Sequence, residues 1–316
     1  MPLTTTSTMP PAIQASFDQA ILSTPTRNFI YNICAERRRM VKNGGDTIRF
    51  KRYTQLASAL APLGNSGITP PSSNLTAVYI DARMSFYGSW IGVNEQVQLQ
   101  SQDPILNAAA IRLGVQMRMT EDDLTKNMLA ATANMINCVN GAAGDLPTEI
   151  TPSDILDATT RLQTADAMTI GEMEEGENKF GTAPTYDAYF CYTHTNMIPN
   201  LTTLPGFIPK FNYPSQRNVL RSEIGSFAYA RFLATSAGSI TPNASVNGAD
   251  VYNNLIVALE SYAIVDQDFY GPSFIYTPPI YSGPLAMNST CAWKTAMVPR
   301  ILNDQWLCNL RSTILV

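Results

Sequence analysis

Few side chains in this chain have types and spacing suited to catalysis. The single histidine, His194, lies in a strand-like pattern with Tyr192 and Asn196 on the same side. No Gly-x-Ser-x-Gly turn accompanies it and no cysteine carries a nucleophile signature, so it reads as a structural histidine. The cluster Glu172, Glu174, Glu175 and Glu177 offers carboxylate oxygens to a hard cation, but its spacing matches no calcium-loop template and it reads as a solvated loop. Asp103, Glu121, Asp122 and Asp123 fit helix starts, where carboxylates suit the N-terminal dipole. There is neither a Gly-x-x-x-x-Gly-Lys phosphate loop nor a Gly-x-Gly-x-x-Gly fingerprint. Trp90, Trp293, Trp306 and the fourteen tyrosines are dispersed, as core and interface residues are, rather than gathered as a base-stacking platform. We therefore expect no catalytic residues, no cofactor and no metal.

Bulk properties narrow the remaining classes. The 316 residues, 45% of them hydrophobic, suffice for one large domain or two with a substantial core. A net charge of −4 with only 15% charged residues provides no global basic field to hold nucleic acid by counterion release. Nucleic acid could be enclosed by such a protein but hardly gripped. Cys34, Cys138, Cys191, Cys291 and Cys308 are odd in number, far apart and free of any Cys-x-x-Cys pair, which points to buried thiols in a reducing compartment. The N-terminus lacks the basic start and apolar core of a secretory signal, and no window approaches the roughly 20 apolar residues that span a bilayer. The expectation is a soluble protein made in the cytoplasm.

The elements that must position any functional surface follow in order. Residues 1 to about 25, rich in Thr, Pro and Ser, read as an extended arm. Thr24-Pro25 offers an N-cap and first-turn proline for a helix over residues 26–43, with Phe29, Ile30, Ile33, Cys34, Met40 and Val41 as its stripe and Arg37, Arg38 and Arg39 near its C-terminal end. Those arginines read as a solvated helix end, or as a contact with an acidic neighbour or nucleic acid. Gly44 to Gln100 then forms a two-armed ribbon. The outgoing arm alternates Ile48 and Phe50 with Arg49 and Lys51. The returning arm sets Val78, Ile80, Ala82, Met84 and Phe86 against Tyr79, Asp81, Arg83, Ser85 and Tyr87, with a phase slip expected at Gly88. A Gly- and Pro-rich tip, Ala61 to Ser73, joins the arms. Two strands alone are marginal in water, so the ribbon needs a second surface, which another copy of the chain could supply. Its candidate contact residues are Arg49, Phe50, Arg52, Tyr53, Ile68, Tyr79, Ile80, Arg83, Phe86 and Tyr87.

Beyond the ribbon, Ile105, Ala109, Leu113, Met117, Leu124, Met128, Ala131 and Met135 recur at three or four residues. Taken to Asn137 they predict a rod of roughly 50 Å, with a capping box at Thr120 to Asp123 that restarts a second helix as the alternative. Thr151-Pro152-Ser153-Asp154 opens a shorter helix with Ile155, Leu156 and Leu162 buried. From Tyr186 onward the pattern is of strands: Tyr186 to Ile198, Ser226 to Leu233, a nearly continuous apolar run from Leu255 to Val265, and a last segment from Ile301 to Leu315. The chain reads as α+β.

The order and wording of several segments resemble one family. Phe29-Ile-Tyr-Asn-Ile33, Asn43-Gly-Gly-Asp-Thr-Ile-Arg-Phe-Lys-Arg-Tyr53, Gly67-Ile-Thr-Pro70, Tyr87-Gly88, and Asp103-Pro104 opening a helix through Leu113-Gly114 are similar to the major capsid protein family of coliphage N-four. Arg221-Ser-Glu-Ile-Gly225 with Arg231-Phe-Leu233, Val251-Tyr252, and Trp293-Lys294 before Ile301-Leu-Asn303 continue the likeness. It covers nearly the whole chain after residue 25. The resemblance implies the HK-97-type fold. Residues 1–25 would be the N-terminal arm, 44–100 the extended loop and 101–150 the peripheral domain with its spine helix. Residues 151–289 would be the axial domain and 290–316 a return to the peripheral domain. Where relatives tend to carry an acidic residue before Gly67, this chain has Ser66, so no charge pairing is carried over to the loop tip, and no isopeptide cross-link is assigned. The implied function is a homo-oligomeric shell of hexamers and pentamers enclosing double-stranded DNA, with portal, scaffolding and decoration proteins as further partners and no membrane. It would be assembled in the bacterial cytoplasm and located in the virion capsid. Two other readings stay open at this stage: an encapsulin-like compartment of the same fold, and an α/β hydrolytic enzyme using Glu172 to Glu177.

Overall fold

A computed structural model describes residues 26–41, 44–60, 72–100, 105–139, 146–170, 187–213, 219–245, 248–267, 273–278 and 287–314. The N-terminal arm, the ribbon tip with Ile68, the helix-opening Ser101 to Pro104 and the acidic cluster Glu172 to Glu177 lie outside these residues.

Two sheets, of five and eight strands, build the body; the two main cores lie on opposite faces of the eight-stranded sheet, the second shared with Tyr262, Ile264 and Met297 of the other. In the five-stranded sheet, the long strand Asn288–Ile301 pairs antiparallel with Ser85–Asn94 on one side and with Tyr262–Gln267 and Ser273–Thr277 on the other. Its inner face packs under the helix Ile105–Ala130, where Leu113, Cys291 and Trp293 are buried together. Trp293 Nε1 donates to Gln116 Oε1 at 3.1 Å, satisfying the one polar atom of a buried indole. The second, eight-stranded sheet runs Met135–Asn137, Leu307–Ser312, Val251–Val257, Tyr189–His194, Ala230–Thr235, Glu223–Phe227 and Ile208–Pro209, with Ile240–Thr241 beside Val251–Val257. The helix Pro152–Thr164 covers it through Ile155, Ala158 and Leu162. Its capping signature is real: Asp154 Oδ2 accepts from the Thr151 backbone N–H at 2.9 Å and from Thr151 Oγ1 at 2.6 Å. Leu156, expected inside, is exposed on the opposite side of that helix.

The expected helix over 26–43 is absent. Residues 26–35 form an irregular strap, buried at Ile30, Tyr31, Cys34 and Ala35, and Glu36–Met40 is an edge strand parallel to Tyr262–Gln267. Apart from the turn in which Ile33 N–H donates to Ile30 C=O, the strap's polar groups bond outward to the body. Tyr31 N–H donates to Asp122 Oδ1 at 3.1 Å, Tyr31 C=O accepts from Tyr262 OH at 2.6 Å, and Asn28 C=O accepts from Thr235 Oγ1 at 2.8 Å. Those tertiary partners outweigh local helix preference.

Two further departures have long-range causes. The long helix ends at Ala130, giving roughly 39 Å, and Met135–Asn137 leaves it to pair with Leu307–Ser312. The helix runs unbroken through Thr120, whose Oγ1 donates to Gln116 C=O, so Glu121, Asp122 and Asp123 sit in its middle. The run Leu255 to Val265 is two strands in two different sheets, turned at Ala258–Ser261 with Glu260 at φ 56°. Tyr262–Gln267 and Ser273–Thr277, placed by sequence in the axial domain, lie in the sheet under the long helix. Leu307–Ser312, placed in the return, lies in the eight-stranded sheet.

Candidate functional site

The ribbon is a separate two-stranded sheet, Thr47–Tyr53 against Ala77–Arg83, in the register Arg49 opposite Asp81, Phe50 opposite Ile80 and Lys51 opposite Tyr79. Directly paired residues share a face. One face therefore holds Ile48, Phe50, Ile80 and Ala82, with Val78 and Arg52 at the distal end. The other holds Arg49, Lys51, Tyr53, Tyr79, Asp81 and Arg83. This division follows the sequence alternation residue by residue.

The apolar face is anchored at its base on its own chain. Ile48 and Phe50 pack against Met40, Met84, Val265 and Ala296. Beyond that base the support ends, and Lys51 to Leu60 are exposed without interruption. The polar face is ordered by its own contacts. Arg49 grips Asp81 with two bonds, Nε to Oδ1 at 2.6 Å and Nη2 to Oδ2 at 2.8 Å, and Arg83 Nε donates to Asp46 Oδ2 at 2.8 Å. The Arg49 hydrogen bond holds the Asp81 carboxyl below the usual range, and hydrogen bonds from Thr47 and Arg83 do the same for Asp46. Lys51 Nζ lies 4.5 Å from the centre of the Tyr53 ring, and the Arg49 guanidinium 5.7 Å from that of Tyr79. The result is a cationic, aromatic surface held in place before any partner arrives.

At Met84 the returning arm changes partners. Met84 N–H still donates to Asp46 C=O at 2.8 Å, whereas Ser85 onward pairs with Asn288–Ile301. The buried phase changes here, from Ala82 and Met84 to Tyr87, Ile91 and Val93, four residues before the slip expected at Gly88. Gly88 instead stands in regular pairing, opposite Lys294, where a Cβ would lie 2.8 Å from Trp293 C=O. Tyr87 thus turns inward against the long helix, Phe86 turns outward, and both belong to the sheet rather than the ribbon. The strand run ends at Asn94, and Glu95–Gln100 is a short helix.

The other expected sites resolve structurally. His194 is buried; its Nε2 lies 3.0 Å from Ser236 C=O and its Nδ1 accepts from Asn196 N–H at 3.0 Å. Burial lowers its pKa, so a neutral ring with both nitrogens bonded is favoured. Arg37 and Arg38 face Asp266 and Glu36 of the same chain on an edge strand, where charge also discourages unwanted pairing. All five cysteines are free and buried. No group of three or more potential metal ligands occurs among the described residues, nor is any helix there long and apolar enough to cross a membrane. Asp46, Lys51 and Asp81, which the alternation alone does not single out, complete the ordered polar face of the ribbon and become visible once the register of the arms is known.

No protein-family model and no curated protein matches the sequence. Solved structures do. The chain is similar over 97% of its length to 96% of a chain from the capsid of Ralstonia phage GP4, with a TM-score of 0.75 at 10% identity. It is similar over its full length to 98% of a chain from the head of Helicobacter pylori bacteriophage KHP40, with a TM-score of 0.68 at 10% identity. For the capsid of cyanophage P-SCSP1u the coverage is 96% and 94%, the TM-score 0.67 and the identity 10%. The fold is thus the HK-97-type fold of phage capsids.

Proposed function

We propose that this chain is the major capsid protein of a tailed bacteriophage, whose copies assemble into hexamers and pentamers of an icosahedral shell around double-stranded DNA. The observation that carries the proposal is the match of the whole chain, ribbon included, to phage capsid and head structures. The residues agree with it. The ordered, exposed ribbon suits contact with a neighbouring subunit, through Arg49, Tyr53 and Tyr79 on one face and Phe50, Arg52 and Ile80 on the other. The net charge of −4 suits a container that need not adhere to its contents. Electron microscopy of the purified protein, or of virions containing it, is the test. Closed particles of uniform diameter are expected; a protein that forms no closed particle in either preparation overturns the reading.

A further inference from the structure

One side of the long helix is covered over only half its length. In the C-terminal half Asp122, Thr125 and Leu129 are buried on that side, and the first two are bonded to Tyr31 and Asn32 of the strap. Ile111, Gly114 and Arg118 precede them at intervals of three, four and seven, and so continue the same side towards the helix N-terminus. There they are exposed, Ile111 to 65%. Gly114 has no packing role among the described residues, since an added Cβ would meet nothing within 4 Å. Glycine inside a helix is unfavourable relative to alanine, and its use is to let another backbone come close.

The strap leads onto this bare half. Asn32 Oδ1 accepts from Thr125 Oγ1 at 2.9 Å, Tyr31 N–H donates to Asp122, and Arg27 Nη2 donates to Met119 C=O at 2.8 Å. From Asn32 back to Arg27 the strap therefore climbs the helix towards its N-terminus, and the described residues begin at Thr26, beside Met119. Twenty-five residues precede Thr26. Among them Ile13, Phe17 and Ile21 recur at every fourth position between Pro11 and Pro25, the spacing of one helical face. As a helix they span roughly 12 Å, as does the bare run from Ile111 to Met119. The one charge among these 25 residues is Asp18, whereas the long helix carries Arg112 and Arg118 and no carboxylate before Glu121.

We propose that residues 12–22 form an amphipathic helix seated on the bare half of the long helix of the same chain, with Ile13, Phe17 and Ile21 against Ile111, Gly114 and Met119 and with Asp18 towards Arg118. The contact lies within one subunit and goes beyond the capsid reading. Two measurements on the purified subunit test it. Photoreactive benzoylphenylalanine in place of Phe17 is expected to cross-link to residues 107–119; in a mixture of isotope-labelled and unlabelled subunits, both halves of each linked peptide carry the same label. Chymotrypsin is expected to cut after Phe17 at least about tenfold more slowly in the subunit than in a synthetic peptide of residues 1–25, because cleavage must await release of the seated helix. Gly114→Leu should raise that rate to the peptide's, while circular dichroism shows the body still folded. Cross-links that fall elsewhere or join differently labelled chains, cleavage as fast as in the peptide, or protection untouched by Gly114→Leu overturn the seat. None of these outcomes bears on whether the chain forms closed particles.

Discussion

Two arginine–carboxylate pairs in this molecule have nearly the same geometry and opposite settings. On the ribbon, Arg49 binds Asp81 with bonds of 2.6 and 2.8 Å while the two side chains are 63% and 47% exposed. In the eight-stranded sheet, Arg231 binds Glu223 with bonds of 2.8 and 2.6 Å at 1% and 0% exposure. The buried carboxylate also accepts from Tyr213 OH and Leu220 N–H, and the Arg231 guanidinium lies 5.2 Å from the centre of the Phe190 ring. Distance therefore says little about what a pair does; its surroundings decide. The buried pair has no water to fall back on, so each member depends on the other. The exposed pair exchanges with solvent at little cost and is better placed to order a surface for a partner.

The largest effect is expected at the buried pair. Glu223→Ala leaves Arg231 uncompensated and should cost about 3–5 kcal/mol, read as a collapse of the thermal transition or as insoluble protein. Next comes the ribbon ladder. Pro at position 80 removes a backbone donor from the strand opposite Phe50, and should leave a soluble, folded body that forms no stable shells. Normal shells from Ile80→Pro would remove the ribbon from assembly.

Asp122 lies between the extremes, because it is buried but only partly paired. It is 1% exposed, its Oδ1 accepts from Tyr31 N–H, and its Oδ2 lies 3.8 Å from Arg27. Burial pushes its pKa up to about 6. The folded state then binds a proton that the unfolded state, titrating near 3.8, has already released. Stability therefore rises as pH falls through about 6 and levels off below the unfolded value. Asp122→Asn should be more stable than the parent at pH 7, on the order of 1 kcal/mol, and should flatten this pH dependence. A parent whose stability does not change between pH 7 and 5 would contradict it. The smallest effect is expected for Arg49→Ala, a shift in melting temperature of no more than about 2 °C. A larger shift would mean that the exposed pair holds the fold after all.

These contrasts also mark what could be read in advance. Glu223 and Arg231 both stood in segments that carried the family resemblance, yet nothing in their spacing announced an ion pair. They meet because the chain turns at Ala228, with φ 49°, and folds Glu223–Phe227 back on Ala230–Thr235. The alternation from Ser226 to Leu233 reads as one strand and gives no sign of that turn. Similarly, Arg37 to Arg39 were legible as cations close to an element's end, but not as an edge strand, because the strand is created by Tyr262–Gln267, more than two hundred residues away.

By itself the sequence determined whatever depends on near neighbours. It marked the two faces of the ribbon through period-two alternation, the capped start of Pro152–Thr164, the long helix in outline, the burial of lone thiols and the α+β character. Those features arise from dihedral preferences, side-chain period and capping bonds within a few residues. Tertiary structure alone decided the rest. It set the strand at Glu36–Met40, the division of Leu255 to Val265 between two sheets and the change of partner at Met84. It also set which carboxylate–arginine pair lies in water and which in the core. Each is fixed by pairing across long stretches of chain and by the local dielectric that packing creates, and neither quantity is carried by a window of sequence.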